Sequence, residues 1–136
     1  MSTQSRTDGA VTGAVRFTMQ TEGLAICAAA VLIYFRAGYS WQEFALLFLV
    51  PDLSMLGYLA GRRIGALAYN VAHSYVGPAL LAAFGLAAND ALLTPIALIW
   101  VAHIGLDRML GYGLKYGAGF GHTHLGHVGR HSAEAA

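Results

Sequence analysis

Charge is what this sequence has least of. Only 11% of its residues are Asp, Glu, Lys or Arg, where a soluble domain carries about 25%. With less than half of the usual polar covering, an ordinary water-facing surface is excluded. The net charge of +1 comes without a basic stripe or a nucleic-acid motif, so no nucleic acid is expected as a partner. Cysteine is almost absent too. The one thiol, Cys27, has no partner for an internal disulfide and, within an apolar run, reads as a small hydrophobe.

What fills the chain instead is apolar: 57% of its residues, gathered into runs long enough for a hydrocarbon core that takes roughly 20 helical residues. Four spans are predicted, Phe17–Phe35, Trp41–Ala60, Ile64–Ala88 and Ala91–Tyr116. Residues 1–16 form a polar arm, 17–116 the membrane domain, and 117–136 a Gly/His-rich tail. The first apolar run begins too late for a secretory signal and is expected to remain as a helix. Short loops make successive helices antiparallel neighbours, so the expected fold is all-α, an integral membrane up-down bundle of four transmembrane helices. Arg6, Arg16, Arg62, Arg63, Lys115 and Arg130 then share one side, against Arg36 alone on the other. The positive-inside rule places both termini in the cytoplasm of an inner membrane. The partner this requires is the lipid bilayer. Gly57, Gly61 and Gly65 give G-x-x-x-G spacing for close helix contact, within the bundle or in a homo-oligomer.

The few ionisable groups inside these runs carry the functional signal, because a charge in a membrane helix is costly and usually faces protein or a watery cavity. At 1.5 Å per residue, Asp52 lies roughly 12 Å and His73 roughly 13 Å from the cytoplasmic end of its span. Asp107 lies roughly 8–13 Å in, with His103 one turn deeper on the same helix face. Glu22 and Asn70 come out at roughly 8 Å, Glu22 at the lip of the first helix. Pro51 and Pro78 are expected to kink their helices beside this slab and to free backbone carbonyls that must find protein or water.

Two carboxylates and two imidazoles at one depth suit a divalent metal such as zinc, with Asp52, His73, His103 and Asp107 as ligands. Asn70, one turn before His73, is placed to hold its other ring nitrogen. Arg108 and Asp107 are the candidate catalytic pair, Arg108 as the cation for developing negative charge. The alternative is structural: Asp52 and Asp107 neutralise Arg108 and a histidine and pin the bundle. Tyr112 and Lys115 read as interfacial anchors. The tail histidines His122, His124, His127 and His131 look like a loose chelating run.

The stretch Leu106 to Gly126, LDRMLGYGLKYGAGFGHTHLG, resembles a bacterial domain-of-unknown-function family, number 4260. Its members are small, very hydrophobic proteins ending in a pattern like LDR-x-x-GYGLKY-x-x-GF-x-x-THLG. The match lies at Leu106-Asp107-Arg108, Gly111 to Tyr116, Gly119-Phe120 and Thr123 to Gly126; His122 stands where an acidic residue is expected. Pro51-Asp52 and Asn70-x-x-His73 also look like that family, which implies no activity. The order Pro51-Asp52, His73-Ser74 and His103-x-x-x-Asp107 is similar to bacterial inner-membrane proteins classed as metal-dependent hydrolases. Their second Asp is replaced here by Ser54, a poor ligand, so Glu22 or Asp107 would have to compensate.

Three functions follow. The first is an intramembrane metal-dependent hydrolase acting on a lipid or a small phosphate or ester at the cytoplasmic leaflet. The second is a non-enzymatic membrane module, a small carrier, proton-coupled subunit or assembly factor, whose polar cluster is a relay or a pin. The third is a haem protein with His73 and His103 as axial ligands, which the two nearby carboxylates oppose.

Overall fold

The computed structural model describes residues 11–114 and 122–127. Apart from one two-residue hairpin, the regular structure is helical: α1 (Gly13–Arg36), α2 (Trp41–Leu47), a 3-10 helix (Val50–Ala60), α3 (Arg62–Ala72), α4 (Val76–Ala88) and α5 (Leu93–Met109). Strands β1 (His122–Thr123) and β2 (Gly126–His127) pair antiparallel.

Two stretches are long and apolar enough to cross a membrane, Gly13–Arg36 and Trp41–Ala60, and a third qualifies if α3 and α4 count as one span bent by 44°. Large apolar side chains line the outside, among them Leu46, Leu59, Leu67 and Leu86, a pattern compatible with a lipid surrounding. At 17 residues α5 reaches about 26 Å, a little under the hydrocarbon thickness.

Each span departs from its sequence reading for a local reason. The first helix begins at Gly13 rather than Phe17. Thr18 and Thr21 return their hydroxyls to the carbonyls of Ala14 and Phe17 at 2.9 and 2.8 Å, so polar residues near its start cost little in apolar surroundings. The second span opens on Ser40, whose Oγ accepts the Glu43 N–H, but its α-helix stops at Leu47. Pro51 has no N–H, and the chain continues as a 3-10 helix with Pro51 in its first turn. The longer rise of about 2.0 Å per residue stretches this segment, and Trp41–Ala60 reaches roughly 35 Å.

The third span is two helices. Pro78 is not a mid-helix kink: it lies in the first turn of α4, where its missing N–H costs nothing. The break falls at His73–Tyr75 instead, and side chains from α5 and the break itself satisfy the open backbone groups. Trp100 Nε1 donates to the Ala72 carbonyl, Arg108 Nη2 donates to the His73 carbonyl at 3.3 Å, and the Val76 N–H donates to Ser74 Oγ at 3.3 Å. The fourth helix ends at Met109 rather than Tyr116. Gly111 follows at φ +86°, a conformation that suits glycine, so Tyr112 is not on this helix; Lys115 lies outside the described residues.

Glycines set the packing. A Cβ at Gly105 would stand 2.8 Å from both the Cys27 amide nitrogen and the Gly23 carbonyl oxygen, so α1 and α5 cross backbone against backbone. Gly57 brings the 3-10 helix onto α3 in the same way, where a Cβ would meet that of Ala68 at 2.9 Å. These contacts, with α4 packed on α5, bring the 3-10 helix, the α3–α4 break and α5 around one point.

Candidate metal centre

That point holds Asp52, His73, His103 and Asp107, whose ligand-type atoms all lie within 4.8 Å of one another. Asp52 comes from the start of the 3-10 helix, His73 from the residue capping α3, and His103 and Asp107 from successive turns of α5. Asp52 Oδ1 lies 3.2 Å from the Nε2 of both histidines. Asp107 Oδ2 lies 3.3 Å from the same two nitrogens. The nitrogens are 3.2 Å from each other. Five of the six edges joining these atoms are therefore nearly equal. A tetrahedron with such edges has its centre about 2.0 Å from every corner, and a longer sixth edge, up to the 4.8 Å limit, moves that to at most about 2.4 Å. Zinc sits at about 2.0–2.2 Å from imidazole nitrogen and carboxylate oxygen. The residues present fit the ion.

Proton accounting leads the same way. His73 Nδ1 is 2.9 Å from the Tyr69 carbonyl. A carbonyl only accepts, so the ring proton is on Nδ1, and in a neutral ring Nε2 points a lone pair at the centre. Two carboxylates and this nitrogen are then three acceptors facing one point, with the His103 Nε2 beside them. Two imidazolium rings are no remedy, because two N–H groups at 3.2 Å would collide. A cation at the centre satisfies all four atoms together.

The surroundings hold the ligands in place. Tyr69 stacks on the His73 ring, centroids 3.8 Å apart and 8° from parallel. Phe48 meets the His103 ring edge-on at 5.2 Å. The imidazoles are almost fully enclosed, with 4% and 2% of their side chains exposed. Asp107 is 16% exposed and Asp52 35%, so the centre opens on the Asp52 side. No hydrogen bond reaches the buried His103 Nδ1.

Other sequence expectations resolve differently. The partner of His73 Nδ1 is the Tyr69 carbonyl and not Asn70. Ser54 turns away, donating its hydroxyl to the Pro51 carbonyl at 2.7 Å. Glu22 is exposed and outside the cluster, whereas Asp107 is inside it. Arg108 reaches the His73 carbonyl and lies over the Tyr75 ring at 5.1 Å. Among the described residues Asp52 and Asp107 make their close contacts with the two histidines, and no ion pair includes Arg108. Haem ligation fails on geometry, since imidazole nitrogens 3.2 Å apart cannot stand on opposite faces of one macrocycle.

The comparison with known families adds one finding. A family model described as a domain of unknown function (DUF4260) matches residues 16–128. The chain belongs to the DUF4260 family. No curated protein and no solved structure matches it. The DUF4260 match takes in all four clustered residues and ends just beyond the hairpin.

That hairpin belongs to the packing around α5. The Leu114 N–H donates to His124 Nδ1 at 2.8 Å, the His124 N–H donates to the Leu114 carbonyl at 3.0 Å, and the Val11 N–H donates to the His124 carbonyl at 2.8 Å. Leu125 is fully buried. Burial, and then the charge of Arg108, hold the His124 imidazole below the usual histidine range. A nitrogen used as an acceptor inside the fold is not a chelating one, so His124 leaves the chelating run. The side chains of His122 and His127, and all of His131, lie outside the described residues.

Proposed function

We propose that this DUF4260 chain is a multi-pass membrane protein of the bacterial inner membrane with an intramembrane divalent-metal centre. Its reading as a hydrolase follows from that centre. The crossings are α1, α2 with the 3-10 helix, α3 with α4, and α5, and both termini are cytoplasmic by the Lys/Arg balance of the loops. Asp52, His73, His103 and Asp107 hold the metal, zinc by donor set and size. One observation supports this: two carboxylate oxygens and two imidazole nitrogens from three segments come within 4.8 Å of one another, each nitrogen 3.2–3.3 Å from both oxygens. When bound, the ion lowers the pKa of a coordinated water towards neutrality and polarises an ester or phosphoryl oxygen.

The chain's own groups divide the remaining work. His73 is oriented by Tyr69 above and the Tyr69 carbonyl behind, which keeps Nε2 on the centre. Asp52, the most open ligand, is the one a substrate oxygen approaches. Arg108, next to Asp107 in the chain and anchored on the His73 carbonyl, supplies positive charge to a phosphate or carboxylate product. Asp107 would help to hold the ion, and its carboxylate is the group that could take a proton from water at the site. The substrate is a lipid or a small ester or phosphate at the cytoplasmic leaflet.

A second reading rests on one feature. Four protein ligands complete a tetrahedron, as structural zinc sites do, so the centre could instead pin the helices of a small carrier, proton-coupled subunit or assembly factor. Hydrolysis of ester and phosphate amphiphiles by detergent-purified protein separates the two. Turnover that a chelator removes, zinc restores and Asp52→Asn abolishes supports the hydrolase. Zinc-loaded protein inert on every such substrate leaves the structural pin.

A further inference from the structure

Between the 3-10 helix and α4 runs an apolar groove of about 370 Å³. Its lining takes Val50 and Pro51 from the 3-10 helix, Ala72 from α3, Leu81 from α4, and Ile99 and Trp100 from α5. Its volume falls among small-molecule sites, about 300–1,000 Å³. The lining offers a ligand no hydrogen bond from its two evident polar groups: the Trp100 N–H is taken by the Ala72 carbonyl and the Pro51 carbonyl by the Ser54 hydroxyl. Several lining residues are chain neighbours of the ligands. Pro51 precedes Asp52, Ala72 precedes His73, and Ile99 and Trp100 stand one turn before His103. Asp52, the most open of the four, follows the lining residue Pro51 directly.

We infer that this groove binds the acyl chain of a single-chain amphiphile whose ester or phosphate head faces the metal centre. The inference rests on the hydrolase reading for its head and names the substrate class. An all-apolar slot lined by chain neighbours of the polar cluster sets a place for a tail close to a place for a head, whereas a small water-soluble ester or phosphate would leave the slot unfilled. The rim residue Val50 is exposed, so a chain can enter sideways from the lipid.

Trp100 is the built-in reporter. The chain has two tryptophans, and Trp41 is exposed at the start of α2, so Trp41→Phe leaves Trp100 as the sole emitter. A lysophospholipid brominated along its chain, titrated at constant unbrominated detergent, is expected to quench Trp100 saturably at one molecule per protein. Val50→Phe and Leu81→Phe, which fill the groove, lower that affinity by about tenfold, the loss of a few buried methylenes, and leave the metal content unchanged. Quenching that rises linearly with the bromolipid fraction, without saturation, overturns the inference. So does saturable quenching that both filling variants retain, and so does a Trp100 shielded in a dimer. Saturable quenching in protein without metal keeps the groove and removes the hydrolase reading; metal without saturable quenching does the reverse.

Discussion

Asp107→Asn tests the centre with almost no change of shape. Asp107 Oδ2 lies 3.3 Å from both Nε2 atoms, and the amide fits the same space while giving up the negative charge. Zinc held by four protein ligands binds with roughly 10–16 kcal/mol near neutral pH, about 3–4 kcal/mol per ligand if shared equally. Losing one carboxylate therefore weakens the metal by about two to three powers of ten. Competition against a chromophoric chelator in detergent reads that directly, and thermal unfolding with and without chelator reads the linked stability. The wild type should unfold at lower temperature once stripped, and the variant should show a smaller difference. If Asp107→Asn binds zinc as tightly as wild type, or chelator leaves the wild-type transition unmoved, Asp107 is not a ligand and the tetrahedral account fails.

Further outcomes follow from the packing. Gly105→Ala puts a Cβ 2.8 Å from backbone atoms of α1, so it should cost about 1–3 kcal/mol by forcing the helices apart; denaturant unfolding in micelles showing under about 0.5 kcal/mol would contradict the close crossing. Trp100→Phe strips the Ala72 carbonyl of its donor and should cost about 1–3 kcal/mol, visible as a lower melting temperature. The docked hairpin should loosen in acid. Because His124 titrates below its ordinary range when folded, the docked form binds fewer protons than the undocked one. Its stability is complete above the ordinary histidine value, about 6.5, and is lost as pH falls through the depressed one. Protection of the Leu114 amide, taken relative to its intrinsic exchange rate at each pH, should fall between pH 7.5 and 5; unchanged protection would refute the role of Nδ1 as acceptor.

The sequence disclosed the cluster better than the helices that carry it. Ionisable groups in lipid-length runs are rare enough to be conspicuous, and depth counting put Asp52, His73, His103 and Asp107 at one level before any contact was known. Their convergence needed only that the helices turn back on one another. The helix breaks were less legible. Ile64 to Ala88 is mostly apolar, and its interruption at His73 depends on Trp100 and Arg108 donating to two carbonyls, a tertiary arrangement with no local pattern. Pro51 signalled a break but not that the chain would go on as a 3-10 helix. Tyr69 was missed because its service to His73 comes from a backbone carbonyl, which every residue has, while the side-chain amide of Asn70 drew attention to itself. The early end of α5 had a signal, Gly111, whose left-handed backbone turns the chain out of the helix.

Metal content is the most direct test of the central claim, that four acceptor atoms surround a cation. Elemental analysis of detergent-purified wild-type protein should find one equivalent of a divalent metal per chain, and much less in Asp52→Ala and His103→Ala prepared alongside. Wild-type protein that carries no metal and takes up none when zinc is supplied would contradict the account, and the four residues would then be a proton-sharing ion-pair cluster within a membrane bundle.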